Sequence, residues 1–245
     1  MFHLKKKSAF IVLGLVLVCS GVYLLRKSGS ISYLFAIIKG KKTVDQVLQR
    51  TEPIVDRKYK ELFSSKGISY PPAEILLVAY KLEKSLELWA RSSGDFKLIR
   101  SFPIQKASGK LGPKLAEGDS QVPEGIYQII GLNPNSSFHL SLKLNYPNDF
   151  DLEKGRLDHR DRLGNDIFIH GKAASIGCLA MGDEIIEDLF TLVAKTGKEN
   201  VSVIISPNRK VNKLPEVVYP NWAEELYTDI KRELYIKKIN TGSDR

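Results

Sequence analysis

The stretch Asp166-Ile-Phe-Ile-His-Gly-Lys-Ala-Ala-Ser-Ile-Gly-Cys-Leu-Ala-Met-Gly-Asp183 (DIFIHGKAASIGCLAMGD) decides how this chain is read. It opens as a strand that ends in His170, one of four histidines, and it carries Cys178, one of two cysteines. From Asp183 the pattern turns helical: Ile185, Ile186, Leu189, Leu192 and Val193 fall on one face, and Gly197 stands where a C-cap belongs. The eight-residue interval from His170 to Cys178 lets the chain loop back and bring imidazole to sulfur. A thiol just before a helix N-terminus sits at the positive end of the helix dipole, which lowers its pKa. The thiolate would then be a nucleophile and His170 its base. Gly177 lets the backbone turn closely enough for N–H groups around Cys178 to face a developing oxyanion. Ser175 is placed to hydrogen-bond within the loop or to substrate. The residues alone leave a second reading open, with His170 a satisfied strand-end histidine and Cys178 a packing residue.

Working outward, ILLVAY (75–80), LELWAR (86–91), FKLIRSFPI (96–104), IYQII (126–130), FHLSLKLNY (138–146) and VSVIIS (201–206) read as strands. Leu140, Leu142 and Leu144 alternate, so one face of their strand is buried. The Gly-rich segment SGKLGPKLAEGDSQVPEG (108–125) is too long for a hairpin turn and reads as an ordered functional loop. Residues 43–67 read as a short helical pair divided at Pro53, and 147–165 as a polar connection. The tail from Asn221 reads as a packing helix, with Trp222, Leu226 and Ile230 on one side. The expected class is mainly β, mostly antiparallel, with one helix directly after the cysteine.

The chain has 245 residues, 43% of them hydrophobic, and a formal net charge of +9. That is enough for one principal domain with a buried core, and it favours anionic partners. Near the N-terminus, Lys5, Lys6 and Lys7 precede an apolar run from Ser8 to Leu25 with no polar face. It reads as a signal anchor crossing the cytoplasmic membrane once, with a cleaved signal peptide as the alternative. The body is then expected in the periplasm or extracytoplasmic space, which argues against a nucleic-acid partner. Cys19 lies within the apolar run, so Cys178 has no intrachain disulfide partner, and a lone thiol in an oxidising compartment flags reactivity. The expected divisions are 1–27 anchor, 28–67 basic tether and short helices, 68–210 main domain and 211–245 helical tail.

The pattern IHG-x-x-x-SIGC-x-A-M (169–181), with GPKLAEGDSQVPEGIY (112–127) and LNYPNDFD (144–151) upstream, resembles the L,D-transpeptidase catalytic (YkuD-type) family, in particular its YafK-like branch. The resemblance covers about residues 68 to 210. It implies an L,D-transpeptidase-like β-sandwich or barrel in which Cys178 is the nucleophile and His170 the general base and acid. The backbone carbonyl of Gly171 would orient the imidazole, with Gly177 and Ser175 in the nucleophile loop. The implied chemistry is acyl transfer on peptidoglycan stem peptides through a thioester, giving L,D-transpeptidation or hydrolysis that releases murein-bound lipoprotein. It needs no metal or other cofactor. Most family members carry a second histidine before the Gly-Cys pair and a longer His-to-Cys interval, whereas this chain has Ile176; both departures resemble the YafK-like branch. Stem peptides carry carboxylates, so Lys110, Lys114, Arg156, Arg160 and Arg162 are basic candidates near the site. Tyr146 and Asn145 are candidates for lining the cleft. The alternative from another class is a non-catalytic, membrane-tethered murein-binding module.

Overall fold

The computed structural model describes residues 40–213 and 216–240. The segment read as an anchor (1–27) and most of the tether (28–39) lie outside the described residues, as does Cys19. Among the described residues, no helix is long and apolar enough to cross a membrane. The described residues from Thr43 onward form one compact unit, which takes in helices of both the 43–67 segment and the tail.

That unit opens with helix α1 (Val44–Ser64), closed at its start by a capping box between Thr43 and Gln46. The expected break at Pro53 is not there: the helix runs through the proline. Its buried residues Val47, Thr51, Val55, Tyr59 and Phe63 recur every four positions and seat one continuous stripe. Pro53 costs the helix the hydrogen bond to the Gln49 carbonyl, but Gln49 and Pro53 are both exposed. Burying the apolar members of the stripe, at about 1.5–3 kcal/mol each, outweighs that loss.

The strands are β1 (Glu74–Tyr80), β2 (Ser85–Arg91), β3 (Lys97–Pro103), β4 (Lys106–Ala107), β5 (Gly125–Ser136), β6 (His139–Leu144), β7 (Phe168–His170), β8 (Leu179–Ala180) and β9 (Val201–Ser206). Helices α2 (Asp149–Leu157), α3 (Asp183–Thr196) and α4 (Ala223–Ile236) complete the unit. The fold is therefore mainly β with a few helices, and one helix follows Cys178. The strand order is β3-β2-β1-β9-β5-β6-β7-β8-β4. Its two ends, β3 and β4, are only three Cα steps apart along the chain (Pro103 to Lys106), at most about 11 Å. The sheet therefore bends enough to bring one end of β3 near the start of β4. The long β5 makes the turn: Gly125–Gln128 pair with β9, and Ile129 onward pairs with β6.

Most pairs are antiparallel, but β1 lies parallel to β9, and β7 to β8. The β1 run ILLVAY does not alternate because both of its faces are covered. Ile75, Leu77 and Ala79 point into the core shared with α1 and α3, while Leu76, Val78 and Tyr80 meet Leu226, Tyr227 and Ile230 of α4. α1 is fastened to α3 by Thr51 against Thr191 (2.6 Å) and by Tyr59 donating to Asp188 (3.1 Å).

The polar connection 147–165 contains a helix that its composition conceals. α2 buries only Lys154 and Gly155, so it has no apolar stripe to read; its signal is the reciprocal cap between Asn148 and Asp151. β4 and β8 are two residues each, too short for any periodicity.

Candidate active site

Strand pairing places the site. In β6 and β7, Leu142 pairs with Ile169, and both are fully buried in the core. The alternating residues Ser141 and His170 are paired on the opposite face. β8 continues the register, with Leu179 beside Ile169 and Ala180 beside His170. Cys178, one residue before Leu179, therefore emerges on the His170 face. That face forms one wall of a cavity of about 580 Å³ whose lining includes His170, Cys178, Phe138, Ser141, Ile176 and Lys114.

His170 is 2% exposed, and its Nδ1 lies 2.6 Å from the Gly171 carbonyl. A carbonyl only accepts, so Nδ1 carries the proton and Nε2 keeps its lone pair. The Phe138 ring stacks on the imidazole, with centroids 4.5 Å apart and planes 31° apart. Burial lowers the His170 pKa, against a smaller opposing pull from the Gly171 carbonyl, so the neutral base is the resting form. Gly171 is glycine because of close approach: a Cβ there would lie 2.6 Å from Asp183 Oδ1 and 2.7 Å from the Phe138 carbonyl.

Cys178 is half-buried, and its Sγ–H donates to the Asp166 carbonyl at 3.7 Å rather than to His170. Burial pushes the thiol pKa up; the Phe168 N–H pulls it down, the Asp166 charge adds to the rise, and Lys114 opposes it. The expectation of a thiol acidified by the helix dipole is thus overturned. β8 intervenes between the cysteine and α3, which begins only at Asp183, and the dipole acts within about one turn of the helix end. The resting pair is a neutral thiol and a neutral imidazole that share a cavity.

The loop between them is held from inside. Ser175 Oγ donates to the Cys178 carbonyl (2.6 Å) and lies 2.9 Å from Ser108 Oγ, whose backbone N–H it accepts at 3.2 Å. The Gly177 N–H points back to Ser175 Oγ at 3.4 Å, and the φ of +127° at Gly177 suits glycine. Ser175 and Gly177 thus shape the loop that carries the thiol and tie it to the Gly-rich segment. Within that segment Asp119 accepts from Lys114 and from the amides of Leu115, Ala116 and Gln121. These bonds hold Lys114 against the cavity.

Tyr146 and Asn145, expected to line the cleft, and Arg160, expected as a basic residue near the site, do not line this cavity. Tyr146 is a core residue, 4% exposed, whose hydroxyl donates to the Leu163 carbonyl at 3.1 Å. Asn145 Oδ1 accepts from the Gln128 N–H (2.8 Å), and the residue faces a separate cavity of about 720 Å³ beside Glu74 and Glu199. Arg160 donates to the Leu115 carbonyl (2.7 Å) and to Asp158, bracing the Gly-rich loop. Proximity in sequence to a motif does not carry a side chain into the site when the strands between them turn it inward. Conversely, sequence reading missed Phe138 and Ser141. Alternation with Leu140 and Leu142 puts Ser141 on the non-core face, but only the pairing with β7 shows that this face belongs to His170. Among the described residues, no group of three or more His, Cys, Asp or Glu is placed to hold a metal ion.

Comparison with known proteins adds a third line of observation. A family model described as the L,D-transpeptidase catalytic domain, YkuD, matches residues 80–205. The YafK proteins of Escherichia coli K12 and O157:H7, both named provisionally as L,D-transpeptidases, are each 33% identical over 140 residues. Those matches cover 55% of this chain and 54% of the relatives, so the chain spans about half the length of the curated relatives it matches. Among solved structures, the helical cell shape determining protein Pgp2 of Campylobacter jejuni is similar at 22% identity and a TM-score of 0.47, covering 58% of this chain and 49% of its own. Bd1075 of Bdellovibrio bacteriovorus is similar at 19% and 0.42, covering 66% and 56%.

Proposed function

This chain belongs to the L,D-transpeptidase catalytic domain (YkuD) family, and from that premise we propose that it modifies peptidoglycan by cysteine-dependent acyl transfer on stem peptides. The observation that carries the reading is the shared cavity: Cys178 and His170 emerge on one sheet face, with Nδ1 of His170 committed to the Gly171 carbonyl.

The chemistry starts from the neutral pair. When a stem peptide enters, Cys178 gives up its hydrogen bond to Asp166 and passes the Sγ proton to Nε2 of His170. The sulfur attacks the carbonyl carbon on the L-centre side of the amide before a D-residue, and a C–S bond forms. As the C–N bond breaks, the imidazolium returns its proton to the departing amine. This leaves a thioester on Cys178 and neutral His170. An amine or water, deprotonated by His170, then attacks the thioester and regenerates the thiol. An amine acceptor gives a crosslink or an anchored protein; water gives hydrolysis, including release of a murein-bound lipoprotein. The apolar run near the N-terminus fits tethering to the cytoplasmic membrane, with this unit on its outer side.

Mass spectrometry after mixing the protein with tetrapeptide muropeptides and lipoprotein-linked murein tests the reading. A thioester adduct and new products, both absent from Cys178→Ala and strongly reduced in His170→Ala, are expected. Dimers or D-amino-acid exchange mark a transferase, and freed lipoprotein without dimers marks a hydrolase. Products undiminished in Cys178→Ala would refute the proposal. The raised thiol pKa favours one second reading, a murein-binding module that performs no chemistry. In that case murein sedimentation would retain both wild type and Cys178→Ala, and no adduct would form.

A further inference from the structure

Ser141 stands out within the cavity. It is 3% exposed, on a strand, and it lines the cavity that His170 and Cys178 share. Its neighbours Leu140 and Leu142 point into the core, so pleat alternation turns the Ser141 side chain to the cavity face. There it lies directly across from His170 in the antiparallel register, a geometry that brings the two Cβ atoms within about 4.5–5.5 Å. The carbonyl of the next residue occupies Nδ1 of His170, and the Phe138 ring covers one face of the imidazole. The hydroxyl therefore borders the space that a substrate must enter to reach Nε2 and Cys178.

We propose that Ser141 is a substrate-contacting residue whose hydroxyl hydrogen-bonds a main-chain amide of the acyl-donor peptide beside the bond that breaks. The proposal rests on the acyl-transfer reading and names a contact within that same site. The hydroxyl is neutral, which suits a peptide amide and gives no preference for a carboxylate. A donor peptide in the cavity would meet this hydroxyl beside His170.

The experiment compares wild type, Ser141→Ala, Ser141→Thr and Cys178→Ala as full chains in detergent. Three quantities are read: kcat/KM on a tetrapeptide muropeptide, the pH profile of Cys178 alkylation by iodoacetamide, and Tm. Ser141→Ala is expected to lose about 3- to 10-fold in kcat/KM, the size of one neutral hydrogen bond. Its alkylation profile and its Tm stay those of wild type. Ser141→Thr keeps the hydroxyl and retains more activity than Ser141→Ala. Full kcat/KM in Ser141→Ala, with Cys178→Ala dead, overturns the contact and leaves the function standing. Lost activity accompanied by a fallen Tm or a shifted alkylation profile overturns it in favour of a structural role. A wild type that forms no thioester sinks both readings together.

Discussion

Replacing Gly171 with alanine tests the architecture of the site with a single methyl group. The φ of Gly171 is not among the positive values, so alanine meets no backbone penalty there, and the whole effect is steric. The new Cβ would lie 2.6 Å from Asp183 Oδ1, 2.7 Å from the Phe138 carbonyl and 3.0 Å from His139 Cβ. Asp183 is engaged with the Lys172 N–H (2.8 Å), and the Phe138 carbonyl belongs to the turn between β5 and β6, so neither yields freely. Overpacking of this kind costs about 1–3 kcal/mol. The relief available is to move the 170–171 backbone away from that turn, which carries off the carbonyl holding His170 Nδ1 and parts the Phe138 stack. A misplacement of about 1 Å in a catalytic group can cost about 100-fold in rate. Gly171→Ala should therefore lose about 1–3 kcal/mol in urea unfolding and about 100-fold in thioester formation, while Cys178 still reacts with iodoacetamide. A variant with wild-type acylation and a stability within about 0.5 kcal/mol of wild type would refute the claim that this glycine exists for close approach.

Three further outcomes are expected. Phe138→Leu removes the ring that helps to desolvate His170; because burial holds that pKa below its ordinary value, the acidic limb of the pH–rate profile should move to higher pH, toward about 6.5. An unmoved limb would show that the stack plays no part in the titration. In the free protein, iodoacetamide alkylation of Cys178 should rise with a midpoint above the ordinary thiol value of about 8.5, since burial raises it, and a plateau near neutral pH would instead reveal a thiolate–imidazolium pair at rest. Lys81 donates to the Gly112 and Val122 carbonyls and to Glu124, deep under the Gly-rich loop. Lys81→Met strands the Glu124 carboxylate and should cost about 3–5 kcal/mol in denaturant unfolding, whereas adding Glu124→Gln should restore part of it; an equally destabilised double variant would contradict the ion-pair account.

The chemistry-bearing segment was legible because its information is local. A strand ending in His170, a glycine-flanked Cys178 and an amphipathic α3 each announce themselves within a few residues, through side-chain period and turn chemistry. Most strands and α4 were legible for the same reason. α2 was not, because its cap and its buried lysine carry no hydrophobic period. The continuity of α1 through Pro53 depends on a partner surface, built from α3 and the sheet, that no local window contains. What only the tertiary structure decided is which distant side chains share a face. The register of β6 against β7 sets Ser141 beside His170, and the β5–β6 turn lays Phe138 on the imidazole. The interposed β8 removes Cys178 from the helix dipole, leaving burial to set its acidity. The tertiary fold also buries Tyr146 in the core and leaves Asn145 and Arg160 outside the cavity. A one-residue step reverses the face of a strand, so such assignments depend on pairing across the sheet, and a linear sequence states the residues without stating their partners.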